Sequence, residues 1–180
     1  MPFKGDADLT RSAVNIFLVF SVTSLIVLVP FGQTVLASGF GTHSVVGGAL
    51  GNRIAKTNFQ AFVIGLLSHA LLDYIPHHDP STDDSFDVAL YTGFNLGGLW
   101  TAKEIYQRTG EDSRFLWGTI GGIIPDLEHV FYFDRCVGGE CPDKLYPSHN
   151  GTVSHHGDAS KVQGYLTEAG LIGIGISIHF

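Results

Sequence analysis

Residues 59–79 read FQAFVIGLLSHALLDYIPHHD. Apolar residues dominate the first seventeen positions, and Pro76 closes them because a proline disfavours helical geometry in the residue before it. The stretch predicts a helix over 59–75 with Asn58 as N-cap. Within it His69 and Asp73 stand four residues apart, so their side chains share one helix face a single turn apart. An aspartate among Leu, Ile and Phe is costly to bury unless something pairs with it. The proline then delivers His77 and His78 beside Asp73 at the same helix end. Such a group suits a metal ion; the plainer alternative is an Asp–His hydrogen bond closing the helix.

Outward from this segment, the chain reads as further helices joined by polar connectors. Residues 39–52, with His43, predict a helix entered from a Ser or Thr cap. Residues 88–108 predict another, carrying Gly93 and Gly97. Residues 114–133 predict one more, interrupted at Pro125, whose missing N–H suits the first position of a new helical turn. Residues 161–180 form a last apolar helix. No alternation is sustained enough to argue a sheet, and no repeat is present. The expected fold is all-α: one compact helical domain of about five helices, residues 38–180, after an N-terminal hydrophobic segment, residues 1–37.

That N-terminal segment holds AVNIFLVFSVTSLIVLV at 13–29, an uncharged run of about 17 residues, the lower limit for crossing a bilayer. Lys4 and Arg11 precede it and the next basic residue is Arg53, a bias that leaves the start of the chain inside and the His-rich domain on the extracytoplasmic side. Val35-Leu36-Ala37 also fits a signal-peptidase site. Anchor and cleaved signal both stay open. Hydrophobic residues make up 44% of the 180 and charged residues 15%, and the net charge is −7. With no basic cluster, a nucleic-acid partner has no electrostatic footprint. The expected partners are the membrane lipid bilayer and a small-molecule or lipid substrate. Cys136 and Cys141 suit a small disulfide loop in an oxidising compartment; two unpaired thiols are the main alternative, and a zinc pair the weaker one.

Three further groups carry metal-binding side chains. Asp126 and His129 lie three apart on the first turn after Pro125, with Glu128 between them as a base or a solvated acid; an acid at a helix N-terminus also complements the macrodipole. His149, His155, His156 and Asp158 lie in a loop of about 25 residues, long enough to suggest function. His43 sits among small apolar residues, a setting equally suited to a core histidine. Together the groups exceed the four ligands one zinc needs and suffice for two ions. A His/Asp donor set suits zinc, iron, manganese or nickel.

The segments THSVVGGALG, FVIGLLSHALLDYIPHHD and GGIIPDLEHVFY, spread over residues 41–156, resemble the YdjM-like membrane-bound metal-dependent hydrolases. The Thr-His and Ser-His-x-x-x-Asp-x-x-x-His pattern is also similar to the zinc-dependent phospholipase C group, including the catalytic part of glycosylphosphatidylinositol-specific phospholipase D. The resemblance implies a metal site of His43, His69, Asp73 and His77, joined by Asp126 and His129, with Glu128 standing where the family has a second Asp. The family's His-Arg-Gly-x-x-His element is echoed only by His149, Asn150, Gly151 and His155, with Asn replacing Arg and one extra residue. The activity implied is metal-assisted hydrolysis of a phosphoester or lipid-type substrate by one or two divalent transition-metal ions, zinc foremost. In that scheme Asp73 is ligand or general base, and His77 or His155 is the acid. Two other classes use the same residues: a non-catalytic metal-binding membrane protein, and a helical interaction protein with structural His–Asp pairs whose Gly-x-x-x-Gly spacings, Gly93/Gly97 and Gly118/Gly122, let helices approach closely.

Overall fold

A computed structural model describes residues 39–78, 84–128, 145–147, 149 and 159–179. Five α-helices form one bundle: α1 (Phe40–Ile54), α2 (Asn58–Asp73), α3 (Ser85–Arg108), α4 (Ser113–Ile123) and α5 (Lys161–His179). A 3-10 turn, Ile124–Asp126, extends α4, and no strand occurs among the described residues. The all-α expectation holds. The N-terminal segment 1–37 and both cysteines lie outside the described residues. None of the described helices is long and apolar enough to cross a membrane.

Local chemistry sets the helix starts, in places one to three residues from where the sequence reading put them. Thr57, not Asn58, caps α2: its hydroxyl accepts the Gln60 N–H at 3.2 Å while the Gln60 side chain reaches back to the Lys56 N–H at 2.8 Å, a reciprocal arrangement that satisfies two orphan donors. Asp84 caps α3 by accepting from the Phe86 and Asp87 N–H groups, so this helix begins at Ser85 rather than residue 88. Asp112 caps α4 by accepting from Arg114 N–H. α1 has no Ser or Thr cap. Its N-cap is Gly39, in the left-handed region at φ 65°, and its first donors are met from α3, Gly39 N–H by Tyr91 Oη at 2.7 Å and Gly41 N–H by Asn95 Oδ1 at 2.9 Å. A distant helix replaces the expected local cap.

α1, α2 and α4 pack with almost no side chain between them. A Cβ on Gly65 of α2 would fall 2.2 Å from the Gly118 carbonyl oxygen of α4, and one on Gly118 would fall 2.3 Å from the Gly47 carbonyl of α1. Only hydrogen fits there, so backbone meets backbone. Around this seam Val45, Ala49, Ala102, Ile105, Tyr106 and Phe115 form the main apolar cluster. The helices α1 and α2 lie antiparallel, with the start of α1 beside the end of α2; His43 and Asp73 meet there. The opposite, outer surfaces are unusually apolar: Phe59, Leu67 and Leu71 on α2 and Phe86, Leu90 and Trp100 on α3 are all exposed.

Candidate metal centre

The end of the bundle where α1 begins and α2 and α4 finish collects the ionisable side chains. His43 comes from the first turn of α1, His69 and Asp73 from the last turns of α2, and Asp126 from the 3-10 turn after α4. His149 arrives from the connection to α5. That connection is anchored in two places: Glu128 accepts the Leu145 N–H at 2.8 Å, and the Tyr146 hydroxyl donates to the Leu66 carbonyl. Glu128 thus ties down the chain that brings in His149.

Five donors converge. His69 Nε2 lies 3.1 Å from Asp73 Oδ2, 3.3 Å from His149 Nε2 and 3.7 Å from Asp126 Oδ1. His149 Nε2 lies 3.5 Å from Asp73 Oδ2 and 3.9 Å from Asp126 Oδ1, and His43 Nε2 lies 3.3 Å from Asp73 Oδ1. All five side chains are exposed by 3% or less. Ligand atoms about 2.05 Å from a zinc ion stand roughly 3.3 Å apart along a tetrahedron's edge. The observed separations cluster around that value, and several are too long for hydrogen bonds. Two groups of three fall within 4.8 Å of one another: His43, His69 and Asp73, and His69, Asp126 and His149.

The protonation pattern fits a cation. His69 Nδ1 is 2.7 Å from the Gly122 carbonyl oxygen, which can only accept, so Nδ1 carries the hydrogen. A neutral His69 therefore points its Nε2 lone pair at the Asp73 carboxylate, a repulsive pairing unless a positive charge lies between. A proton or a metal ion supplies it, and a hydrogen bond from the other ring nitrogen is the usual way a ligating imidazole is oriented. His43 Nδ1 is buried with no hydrogen-bond partner among the described residues. Two buried carboxylates, Asp73 and Asp126, need positive charge or hydrogen-bond donors around them, and a metal ion is one way to supply it. Asp73 turns one oxygen to His43 and the other to His69 and His149.

The side chains alone bias each other's charge. Burial holds the His43 imidazole down, to about 3, and the neighbouring His69 adds to this against the pull of Asp73. Burial would also lower His69, but Asp126 and Asp73 outweigh it and raise it. Burial would raise Asp73; the His149, His43 and His69 imidazoles that face it instead hold it well below the usual carboxylate range. Tyr146, edge-on to His69 with ring centroids 5.1 Å apart, is pushed up to about 12 by burial and then by Asp73.

Of the residues expected from sequence, His43, His69, Asp73 and Asp126 come together. His77 belongs to neither group of three: it is buried beside the centre, near enough to depress His43, with Nδ1 bonded to the Ile75 carbonyl at 2.9 Å. His78 turns away to Asp87, 2.8 Å from its Oδ2. His129 and His155 lie outside the described residues. The sequence reading places His149 only among several loop histidines able to supply a ligand, not in the expected ligand set itself. Comparison with family models, curated proteins and solved structures gives no match, so the family resemblance rests on the quoted motifs.

Proposed function

We propose that the protein is a divalent-metal-dependent hydrolase acting on a phosphoester or lipid-type substrate at a membrane. The observation that carries this reading is the convergence of His43, His69, Asp73, Asp126 and His149 at zinc-like spacings with the His69 tautomer fixed toward the centre. A divalent ion held there supplies Lewis-acid chemistry, lowering the pKa of a bound water towards ~7. The chain's own residues do the rest. His69 belongs to both groups of ligand atoms, and Asp73 faces His43 on one side and His69 and His149 on the other. Gly122 fixes the His69 ring. Tyr146 shields the centre on the side of His69 and His149, keeping the local dielectric low and the charge interactions strong. His77, buried beside the ligands, is the residue we assign to proton delivery to a leaving group. The apolar outer surfaces of α2 and α3 favour the lipid bilayer as partner and a lipid-type substrate.

One observation favours a second reading, a non-catalytic metal-binding membrane protein: all five donors are almost closed to solvent, as in a structural site with no open coordination position. Elemental analysis of protein purified without chelator or His tag, with a His69→Ala/Asp73→Ala variant beside it, tests both. One or two equivalents of transition metal, lost in the variant, are expected, and turnover of a phosphodiester or phospholipid by the loaded wild type separates the two. Wild-type protein that takes up no metal even on reconstitution leaves structural His–Asp pairs and sinks both.

A further inference from the structure

α5 supplies none of the five donors, yet its first half touches the immediate neighbours of His43, a donor, and of His77, which is buried beside the centre. Lys161, Gly164, Tyr165 and Glu168 stand at i, i+3, i+4 and i+7, one face of the helix. Gly164 lies flat on the strap after α2: a Cβ there would fall 2.2 Å from His78 Cβ and 2.5 Å from the His78 backbone nitrogen. Tyr165 Oη donates to Asp87 Oδ1 at 2.8 Å, and Asp87 Oδ2 receives His78 Nε2 at 2.8 Å with Lys161 Nζ 3.3 Å away. One turn further on, Glu168 accepts the Thr42 hydroxyl hydrogen. His78 adjoins His77, and Thr42 adjoins His43.

The chemistry chosen for these contacts is expensive. Asp87 and Glu168 are both buried, at 1% and 7% exposure, and a buried carboxylate is tolerated only with partners arranged around it. Apolar packing already joins α5 to α1 lower down, where Gly175 lies against Val45 and Ile176 and Ile178 meet the main cluster. The two carboxylates add direction that apolar contacts lack, and they are spent on the residues next to His43 and His77.

We propose that α5 is the positioning element of the metal centre: Glu168, through Thr42, sets His43, and Tyr165 with Asp87, through His78, sets the strap that bears His77. This rests on the metal-centre reading above. Thr42, Asp87, Tyr165 and Glu168 are positioning residues; none of them is a ligand.

Zinc affinity, measured by competition with a chromophoric chelator, tests the assignment on full-length wild type and on Thr42→Val, Thr42→Ser, Glu168→Ala and Tyr165→Phe. The apo thermal midpoint and the visible spectrum of the cobalt(II)-loaded protein are read alongside. Thr42→Val and Glu168→Ala are expected to weaken zinc by roughly 10- to 100-fold, the range seen when a partner orienting a ligand is removed, and to alter the cobalt spectrum. Thr42→Ser, which keeps the hydroxyl, is expected to restore both. Tyr165→Phe keeps the ring stacked on Phe94 and removes only the hydroxyl, so it reports even where Glu168→Ala fails to fold; a severalfold loss of affinity is expected. Unchanged affinity and cobalt spectrum with a lowered apo midpoint would reduce α5 to a packing helix and overturn the proposal. Wild type that binds neither zinc nor cobalt overturns the metal centre itself, a failure distinct from variants that bind like wild type.

Discussion

Gly93 and Gly97 on α3 and Gly118 and Gly122 on α4 share one spacing and opposite surroundings. A Cβ at either of the first two meets nothing within 4 Å among the described residues; a Cβ at Gly118 or Gly122 would fall 2.3 Å and 2.4 Å from the Gly47 and His43 carbonyl oxygens. The first pair lies on the outer surface of α3 beside Phe86, Leu90 and Trp100, and the second forms the floor on which α1 and α2 rest. Spacing places two small residues on one helix face, and only the neighbouring backbone decides whether that face is a seam or an open stripe.

The largest effect that would break this contrast comes from filling the seam. Gly65→Ala sets a methyl group 2.2 Å from a carbonyl oxygen, with backbone rather than a flexible side chain in the way, so α2 and α4 must part. A loss of about 3 kcal/mol in urea unfolding, at or above the usual cost of overpacking, is expected, with zinc binding falling too because His69 moves with α2. A stability within 0.5 kcal/mol of wild type, allowing ~0.5 kcal/mol as measurement noise for surface changes, would mean the helices are not in backbone contact.

A middle effect separates the uncharged seam from the charged contact between α3 and α5. Burial would raise the Asp87 carboxyl, but hydrogen bonds from His78, Tyr165 and Lys161 bring it down to about 2. A carboxylate depressed in the folded state stabilises it above the unfolded value near ~3.9 and loses that contribution as pH falls through the folded value. Stability measured by denaturant should therefore drop between about pH 4 and 2 in wild type, by up to about 2 kcal/mol, and Asp87→Asn should flatten that part of the profile. A variant as acid-sensitive as wild type in that window would remove Asp87 as the cause.

The smallest effect has the opposite sign. Gly93→Ala adds a methyl group in open space on a helix whose glycine costs backbone entropy, and a gain of roughly 0.5–1 kcal/mol in unfolding free energy is expected. A loss instead would show that something closes over the α3 stripe.

Helix periodicity, Pro76 and the His69–Asp73 pair were legible because their information is local: four residues fix one face, and one proline fixes one end. Asp126 was legible for the same reason. His43 carried a weaker signal, since its partner Asp73 lies thirty residues on and nothing beside His43 announces it. His149 shares a loop with His155 and His156, and no spacing there selects one imidazole over another. Thr42 and Glu168 are 126 residues apart, so their pairing has no trace in either segment. The α1 cap was misread for a related reason: Tyr91 and Asn95 take the donors that a Ser or Thr would have taken.

Gly122 touches the centre twice, through its carbonyl bonded to His69 and through its α-carbon pressed against the His43 carbonyl. The distance between two ligand-bearing helices is thereby gauged by a single peptide unit, with no compressible side chain to take up slack. A metal ion held in a centre built this way would be selected by its radius. An ion seeking oxygen and nitrogen at ~2.0–2.1 Å would be matched, whereas calcium, which wants contacts of ~2.3–2.6 Å and six or more oxygens, would have to pry apart helices that already touch.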